Sequence, residues 1–209
     1  MPLFHHARYV LTAARWDQLP ADGQPEVAFV GRSNAGKSSA INALANHTQL
    51  AFVSKTPGRT QQINFFALRA GGFLVDLPGY GFAKVPRPLK ETWEGFLGRY
   101  LMERAALAGL VVLMDARHPF TALDVQLLEW FALTGKPVHV LLTKADKLNQ
   151  AERQRSIAQA KEAVWAGEGR LPEALSMQFF SATRKQGLDE AEEAVAPWLG
   201  QTVPQNKGP

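Results

Sequence analysis

A chain of 209 residues, 46% of them hydrophobic, has enough apolar material for one domain with a full core. It contains no cysteine, which excludes disulfides, thiolate metal sites and cysteine nucleophiles and fits a protein of the reducing cytoplasm. The net charge of +4 suits a polyanionic partner or an ordinary surface; no apolar run reaches bilayer length, and the N-terminus, with His5, His6, Arg8 and Arg15, lacks the apolar core of a secretory signal.

Residues 1–25 read as a lead-in packed on the domain, with a possible extra strand over Arg8–Leu11 and a turn at Pro20-Ala21-Asp22-Gly23. Glu26–Val30 is a short buried strand, followed by a glycine-rich loop and a helix over 37–46. Strands are expected over 62–68 and 72–76, then a helix over 88–106 and a strand over 109–115. A helix over 121–134, a strand over 137–143, a helix over 150–165, a strand over 177–180 and a helix over 186–199 complete the series. Thr121–Asp124 and Asn149–Glu152 have the form of capping boxes. After them, Leu123, Leu127, Trp130 and Phe131 fall on one helix face, as do Ile157, Ala160 and Val164; in the last helix Leu188, Ala191, Val195 and Trp198 do the same. The polar tail over 201–209 is expected to be disordered. Near-continuous apolar strands alternating with helices predict an α/β fold: a mostly parallel six-stranded sheet with helices on both faces, and ligands at the carboxyl ends of the strands.

The loop Gly31-Arg32-Ser33-Asn34-Ala35-Gly36-Lys37-Ser38 matches the phosphate-binding pattern and has the required context, strand before and helix after. Gly31 and Gly36 let successive backbone N–H groups converge on one anion at a helix N-terminus. Lys37 supplies an ammonium for the β- and γ-phosphates, and the Ser38 hydroxyl a ligand for a magnesium ion. Asp76 ends an apolar strand and is followed by Leu77, Pro78 and Gly79. The carboxylate suits magnesium through a water, and the Gly79 N–H suits a γ-phosphate. Thr143-Lys144-Ala145-Asp146 follows another strand. The Asp146 carboxylate can accept from guanine N1–H and the 2-amino group, which adenine lacks, so an ATPase reading is disfavoured. The stem of Lys144 can lie over the base, and a backbone N–H at Phe180-Ser181-Ala182 can touch guanine O6. Between the first two motifs, Thr56 and Thr60 are both candidates for a threonine that reaches magnesium when the γ-phosphate is present.

GRSNAGKS, TPGRTQ, DLPGYGFAKVP and TKAD together resemble the EngB (YihA/YsxC) family of ribosome-biogenesis GTPases, of the Era–EngA–TrmE group. The resemblance runs from about residue 8 to residue 199, and its most specific stretch is Asp76–Pro86. It implies a P-loop NTPase fold, a Ras-like G domain over residues 26–200, binding GTP and GDP. It chooses Thr60 over Thr56 for magnesium and adds Gly58, Arg59, Gln61 and Gln62 to the nucleotide contacts, with Lys37, Thr60 and Gly79 as the catalytic set. It implies a role in late assembly of the large (50S) ribosomal subunit, with ribosomal RNA and proteins as partners, a link to cell division and septation, and a monomer with no membrane span. The length is expected to leave no room for the additional domains of Era, EngA or TrmE.

Position 80 departs from signalling GTPases, which carry Gln there to orient water. Tyr80 cannot do this in the same way, so a low intrinsic hydrolysis rate is expected. Asn34 either binds a potassium ion, as it can in relatives, or merely suits a turn. Arg59, Lys84, Arg87 and Lys90 would offer a basic, nucleotide-dependent surface to ribosomal RNA. The competing reading is a GTP-gated binding module for ribosomal RNA or protein in which hydrolysis is incidental.

Overall fold

In the computed structural model, which describes residues 2–51, 62–81, 95–166 and 171–201, the strand that precedes the phosphate loop lies at the middle of a seven-stranded sheet. The strands are β1 (Arg8–Ala13), β2 (Glu26–Gly31), β3 (Ile63–Ala67), β4 (Phe73–Asp76), β5 (Leu107–Asp115), β6 (Val138–Thr143) and β7 (Leu175–Phe179). Their order across the sheet is β1-β3-β4-β2-β5-β6-β7. β1 and β4 each pair antiparallel with β3; all other neighbours are parallel.

Alternation decides what each strand buries. Ala28 and Val30 of β2 face a core with Val112, Val140, Tyr100, Leu127 and Phe131, while Val27 and Phe29 face another with Val111, Leu113, Ile41, Leu44 and Val195. Helices α2 (Phe96–Glu103), α3 (Ala122–Ala132) and α4 (Gln150–Ala166) serve the first core; α1 (Lys37–Leu44) and α5 (Leu188–Val195) serve the second. Both faces of the central strands are therefore dry, as a parallel sheet requires. Both capping boxes form: Thr121 N–H donates to Asp124 Oδ2 at 2.8 Å, and Asn149 and Glu152 exchange bonds of 2.8 and 3.0 Å.

Several expectations need correction. The sheet has seven strands, not six: the possible extra strand over Arg8–Leu11 forms, as Arg8–Ala13, and pairs along β3 with a register shift between Tyr9 and Leu11. β5 begins at Leu107 and β7 spans Leu175–Phe179. α2 ends at Glu103 rather than residue 106, and its side of Arg104 turns back to the buried Glu26. The last helix gives way to a 3-10 turn over Ala196–Leu199, because Pro197 has no N–H to continue an α-helical ladder. On α4 Ala160 is buried as expected, but Ile157 is 37% exposed and Ser156 is buried instead. Val164 and the predicted residues 88–94 and 202–209 lie outside what is described at the side-chain or backbone level.

The amino end of β2 is held by a buried polar knot. Glu26 is fully buried, Tyr100 Oη donates to it at 2.7 Å, and Arg104 closes an ion pair with it. Arg104 also donates to the Pro20 carbonyl at 2.7 Å, which ties the lead-in to the sheet. Both Glu26 carboxylate oxygens and Arg104 Nε and Nη2 have partners, which helps a buried pair to be tolerated. Nearby, Trp198 lies directly on Gly109: a Cβ at that position would sit 2.3 Å from Trp198 Cε3. Gly109→Ala should therefore lower stability by about 1–3 kcal/mol, read as a reduced urea midpoint at unchanged slope.

Candidate functional site

At the carboxyl end of β2 the chain has no room for a side chain. A Cβ on Gly31 would lie 2.7 Å from the Leu113 carbonyl of β5. From there the loop takes left-handed conformations at Asn34 (φ 65°) and Gly36 (φ 92°) and enters α1 with Gly36 as its N-cap. Such a path turns backbone N–H groups inward and makes an anion-binding concavity continuous with the helix N-terminus. Ser38 lies half-buried in the first turn of α1. Lys37 forms a salt bridge with Asp76 at the end of β4, the two side chains being 14% and 7% exposed. Asp76 also receives Asn64 Nδ2 from β3, at 3.5 Å.

The stretch after Asp76 is stitched to the phosphate loop. Leu77 N–H donates to the Phe29 carbonyl at 3.0 Å, Tyr80 N–H to that of Gly31 at 3.2 Å, and Ser33 N–H to that of Tyr80 at 3.0 Å. Gly79 lies so close that a Cβ there would be 3.2 Å from the Gly31 carbonyl oxygen. Tyr80 itself is buried, and its hydroxyl donates to Asp124 Oδ1 on α3 at 2.6 Å. Burial, and then the Asp124 carboxylate, push the phenol well above the usual tyrosine value, so it stays a donor.

The third motif closes over the same loop. Thr143 Oγ1 lies 2.5 Å from the Ala35 carbonyl and 3.0 Å from that of Met114. Lys144, itself left-handed at φ 57°, donates to the Asn34 carbonyl at 2.7 Å and to Asp115 Oδ2 at 2.9 Å. Burial would raise the Asp115 carboxyl, but hydrogen bonds from Arg117 and Lys144 outweigh it and hold the group well below the usual range. The Ser181 hydroxyl donates to Asp146 Oδ1 at 2.6 Å and lowers its carboxyl from the ordinary value. Ala145 N–H donates to the Phe180 carbonyl at 3.1 Å, so the Thr143–Asp146 and Phe180–Ala182 segments form one corner.

The described structure thus brings together residues 31–38, Asp76–Gly79, Thr143–Asp146 and Phe180–Ala182 at one edge. Gln62 is exposed and precedes β3; Thr56, Gly58, Arg59, Thr60, Gln61, Lys84, Arg87 and Lys90 lie outside the described residues. Sequence reasoning missed Asp115 and Asn64. Asp115 carried a signal, since it ends an apolar strand as Asp76 does; Asn64, an isolated amide in a strand, carried none.

The family model described as "50S ribosome-binding GTPase" matches residues 26–144. The probable GTP-binding protein EngB of Aromatoleum aromaticum is 54% identical over 200 residues, covering 96% of this chain and 91% of its own length. That of Neisseria meningitidis serogroup B is 52% identical over 199 residues, covering 95% and 94%. The chain belongs to the EngB family. A crystal structure of an EngB protein superposes with a TM-score of 0.64 at 21% identity, covering 84% of this chain and 98% of that one. The apo elongation factor SelB of Methanococcus maripaludis gives 0.60 at 15% identity, over 88% of this chain and 36% of that one, a likeness of fold alone.

EngB proteins are G-domain GTPases, and the resident ion such domains employ is magnesium. Here the oxygen donors at hand are a serine hydroxyl and one carboxylate, and no three His, Cys, Asp or Glu cluster among the described residues. That donor set fits magnesium, which keeps several waters and takes other ligands from phosphates. Nor is any helix among the described residues long and apolar enough to cross a membrane.

Asp146 would meet guanine as an anion, and its lowered value keeps it charged until the pH falls below the usual carboxylate range. Any affinity for GDP owed to this contact should therefore persist through the usual carboxylate range and be lost only on acidification below it. Ser181→Ala removes the stabilising donor, so the acid loss should move to higher pH. Calorimetric GDP titrations at stepped pH check this; the nucleotide's own phosphate titrates alike in both proteins, so the difference isolates Asp146.

Proposed function

We propose that this chain is a slow GTPase acting as a nucleotide-controlled switch in late assembly of the large ribosomal subunit. The observation that carries the GTP reading is the seam just described, in which the phosphate loop, the Asp76–Gly79 turn and the Asp146 corner share hydrogen bonds at one sheet edge. Residues 31–38 cradle the phosphates, with Lys37 exchanging Asp76 for the β- and γ-phosphates. Ser38 and Thr60 would hold magnesium directly and Asp76 through a water; the ion, when bound, neutralises charge on the phosphates. Gly79 donates its N–H to the γ-phosphate, and Gly58, Arg59, Gln61 and Gln62, which adjoin Thr60 in sequence, would add contacts to the nucleotide. Asp146 selects guanine, Lys144 covers the base, and Phe180–Ala182 offers an N–H to O6. Phosphoryl transfer goes to water without a covalent intermediate, so the residues act by position and charge.

The ribosomal part rests on the family: its matched description names 50S binding, and the resemblance over Asp76–Pro86 extends to assembly of that subunit. On this reading the protein is a cytoplasmic monomer, and a septation defect follows indirectly from failed assembly. Arg59, Lys84, Arg87 and Lys90 provide phosphate contacts to ribosomal RNA when GTP is bound. Asn34 already has a backbone reason in its left-handed φ; potassium at its side chain would add charge stabilisation that Tyr80 does not supply.

The test is co-sedimentation with large ribosomal subunits in GDP and in a non-hydrolysable GTP analogue. Retention should rise with the analogue, and Lys84→Glu with Arg87→Glu should abolish the rise while leaving GDP affinity within about twofold. The second reading, a gated binding module, is favoured by one observation: the residue after Gly79 is a tyrosine bonded to Asp124. Single-turnover hydrolysis separates the two. Stimulation by subunits supports the switch, whereas a flat, negligible rate supports the module.

A further inference from the structure

Tyr80 is fixed at both its backbone and its side chain. Its N–H and carbonyl bond Gly31 and Ser33, on either side of Arg32, and Arg32 and Tyr80 form an isolated parallel bridge. Its ring is 1% exposed, and its hydroxyl meets an equally buried carboxylate on α3. Asp124 is not free to follow a moving phenol, because its other oxygen accepts Thr121 N–H at 2.8 Å and Thr121 Oγ1 at 2.7 Å. One residue further on, a Cβ at Gly81 would lie 3.2 Å from Leu123 Cδ1, so Gly81 lies against the first turn of α3.

Gly79 is thereby held between two anchors, the Leu77–Phe29 bond before it and Tyr80 after it. A flexible Gln in place of Tyr80 could reach outward to a water; a phenol seated on Asp124 is committed inward. We infer that Tyr80 is a positioning residue: through Asp124 it sets the Gly79 amide against the phosphate loop and relays the presence of the γ-phosphate to the first turn of α3. The structure given to position 80 thus has a use in sensing, where the orientation of water is lost. This rests on the GTPase reading.

The test is Tyr80→Phe, which keeps the ring and removes the one donor. Affinity for a non-hydrolysable GTP analogue should fall about fivefold or more, the scale of one buried hydrogen bond, while GDP affinity changes by less than about twofold. In the parent protein, amide hydrogen exchange across residues 120–126 should differ between the GDP and analogue complexes, and in Tyr80→Phe the difference should vanish. Equal losses for both nucleotides would mean a purely structural role and overturn the inference; so would unchanged affinities with unchanged exchange. Asp124→Asn keeps an acceptor for Thr121 and weakens the phenol contact, and its affinity ratio decides if Tyr80→Phe does not fold. Failure of the parent protein to bind GDP would instead sink the underlying nucleotide reading, so the two failures are distinguishable.

Discussion

A loop that turns its N–H groups inward to hold an anion must turn its carbonyls outward, and those carbonyls need donors of their own. Lys144 meets the Asn34 carbonyl, Thr143 lies against that of Ala35, and Tyr80 N–H takes that of Gly31. The phosphate loop is therefore not a self-contained turn. Its shape depends on two other loops that arrive at the same edge only because β4, β2, β5 and β6 run parallel and side by side. Parallel neighbours put all their carboxyl ends together, and the loops there can satisfy one another.

The two ends of this sheet treat buried charge differently. At the amino end, Glu26 has Arg104 and Tyr100 as partners, and Arg104 has the Pro20 carbonyl as well. That knot is closed, and Trp198 packed on Gly109 seals the neighbouring strand. At the carboxyl end Lys37 pairs with Asp76, and Asp115 is shared by Lys144 and Arg117. Desolvating such pairs costs several kcal/mol per ion, only partly offset by their attraction. An ammonium held by one carboxylate in a polar loop can trade it for phosphate at little net cost, because one charge-assisted contact replaces another. The closed knot gives the fold its floor, and the exchangeable pairs make the upper edge responsive.

What could be read from the residues follows the same division. Local chemistry was legible: the phosphate loop, both capping boxes, and the apolar run that makes Glu26–Val30 a buried strand. The apolar stripe through Trp198 runs past Pro197, which ends the α-helix because it has no N–H for the ladder. On α4 the expected stripe held at Ala160 but not at Ile157, where the small neighbouring Ser156 is buried instead. The seventh strand was legible only as a possibility over Arg8–Leu11, because exposed Tyr9 and Val10 lack the pattern of a buried strand and its pairing with β3 depends on a distant segment. Ser181 beside Asp146, and Tyr80 beside Asp124, were beyond reach for the same reason: each bond joins motifs that only the finished topology makes neighbours.

The Tyr80–Asp124 contact also sets a direction for control. If γ-phosphate at Gly79 favours one arrangement of the first turn of α3, then anything that favours that arrangement from outside must favour γ-phosphate by the same factor, since coupling between sites is reciprocal. Couplings of this kind are typically about 1–3 kcal/mol, or roughly 5- to 150-fold in affinity. A ribosomal particle resting on that turn would then hold GTP in place rather than merely wait for it. Because Asp124 caps α3 with one oxygen and receives Tyr80 with the other, pulling the phenol away perturbs the helix start directly, with no long chain of intermediates. The same carboxylate thus serves fold and signal at once.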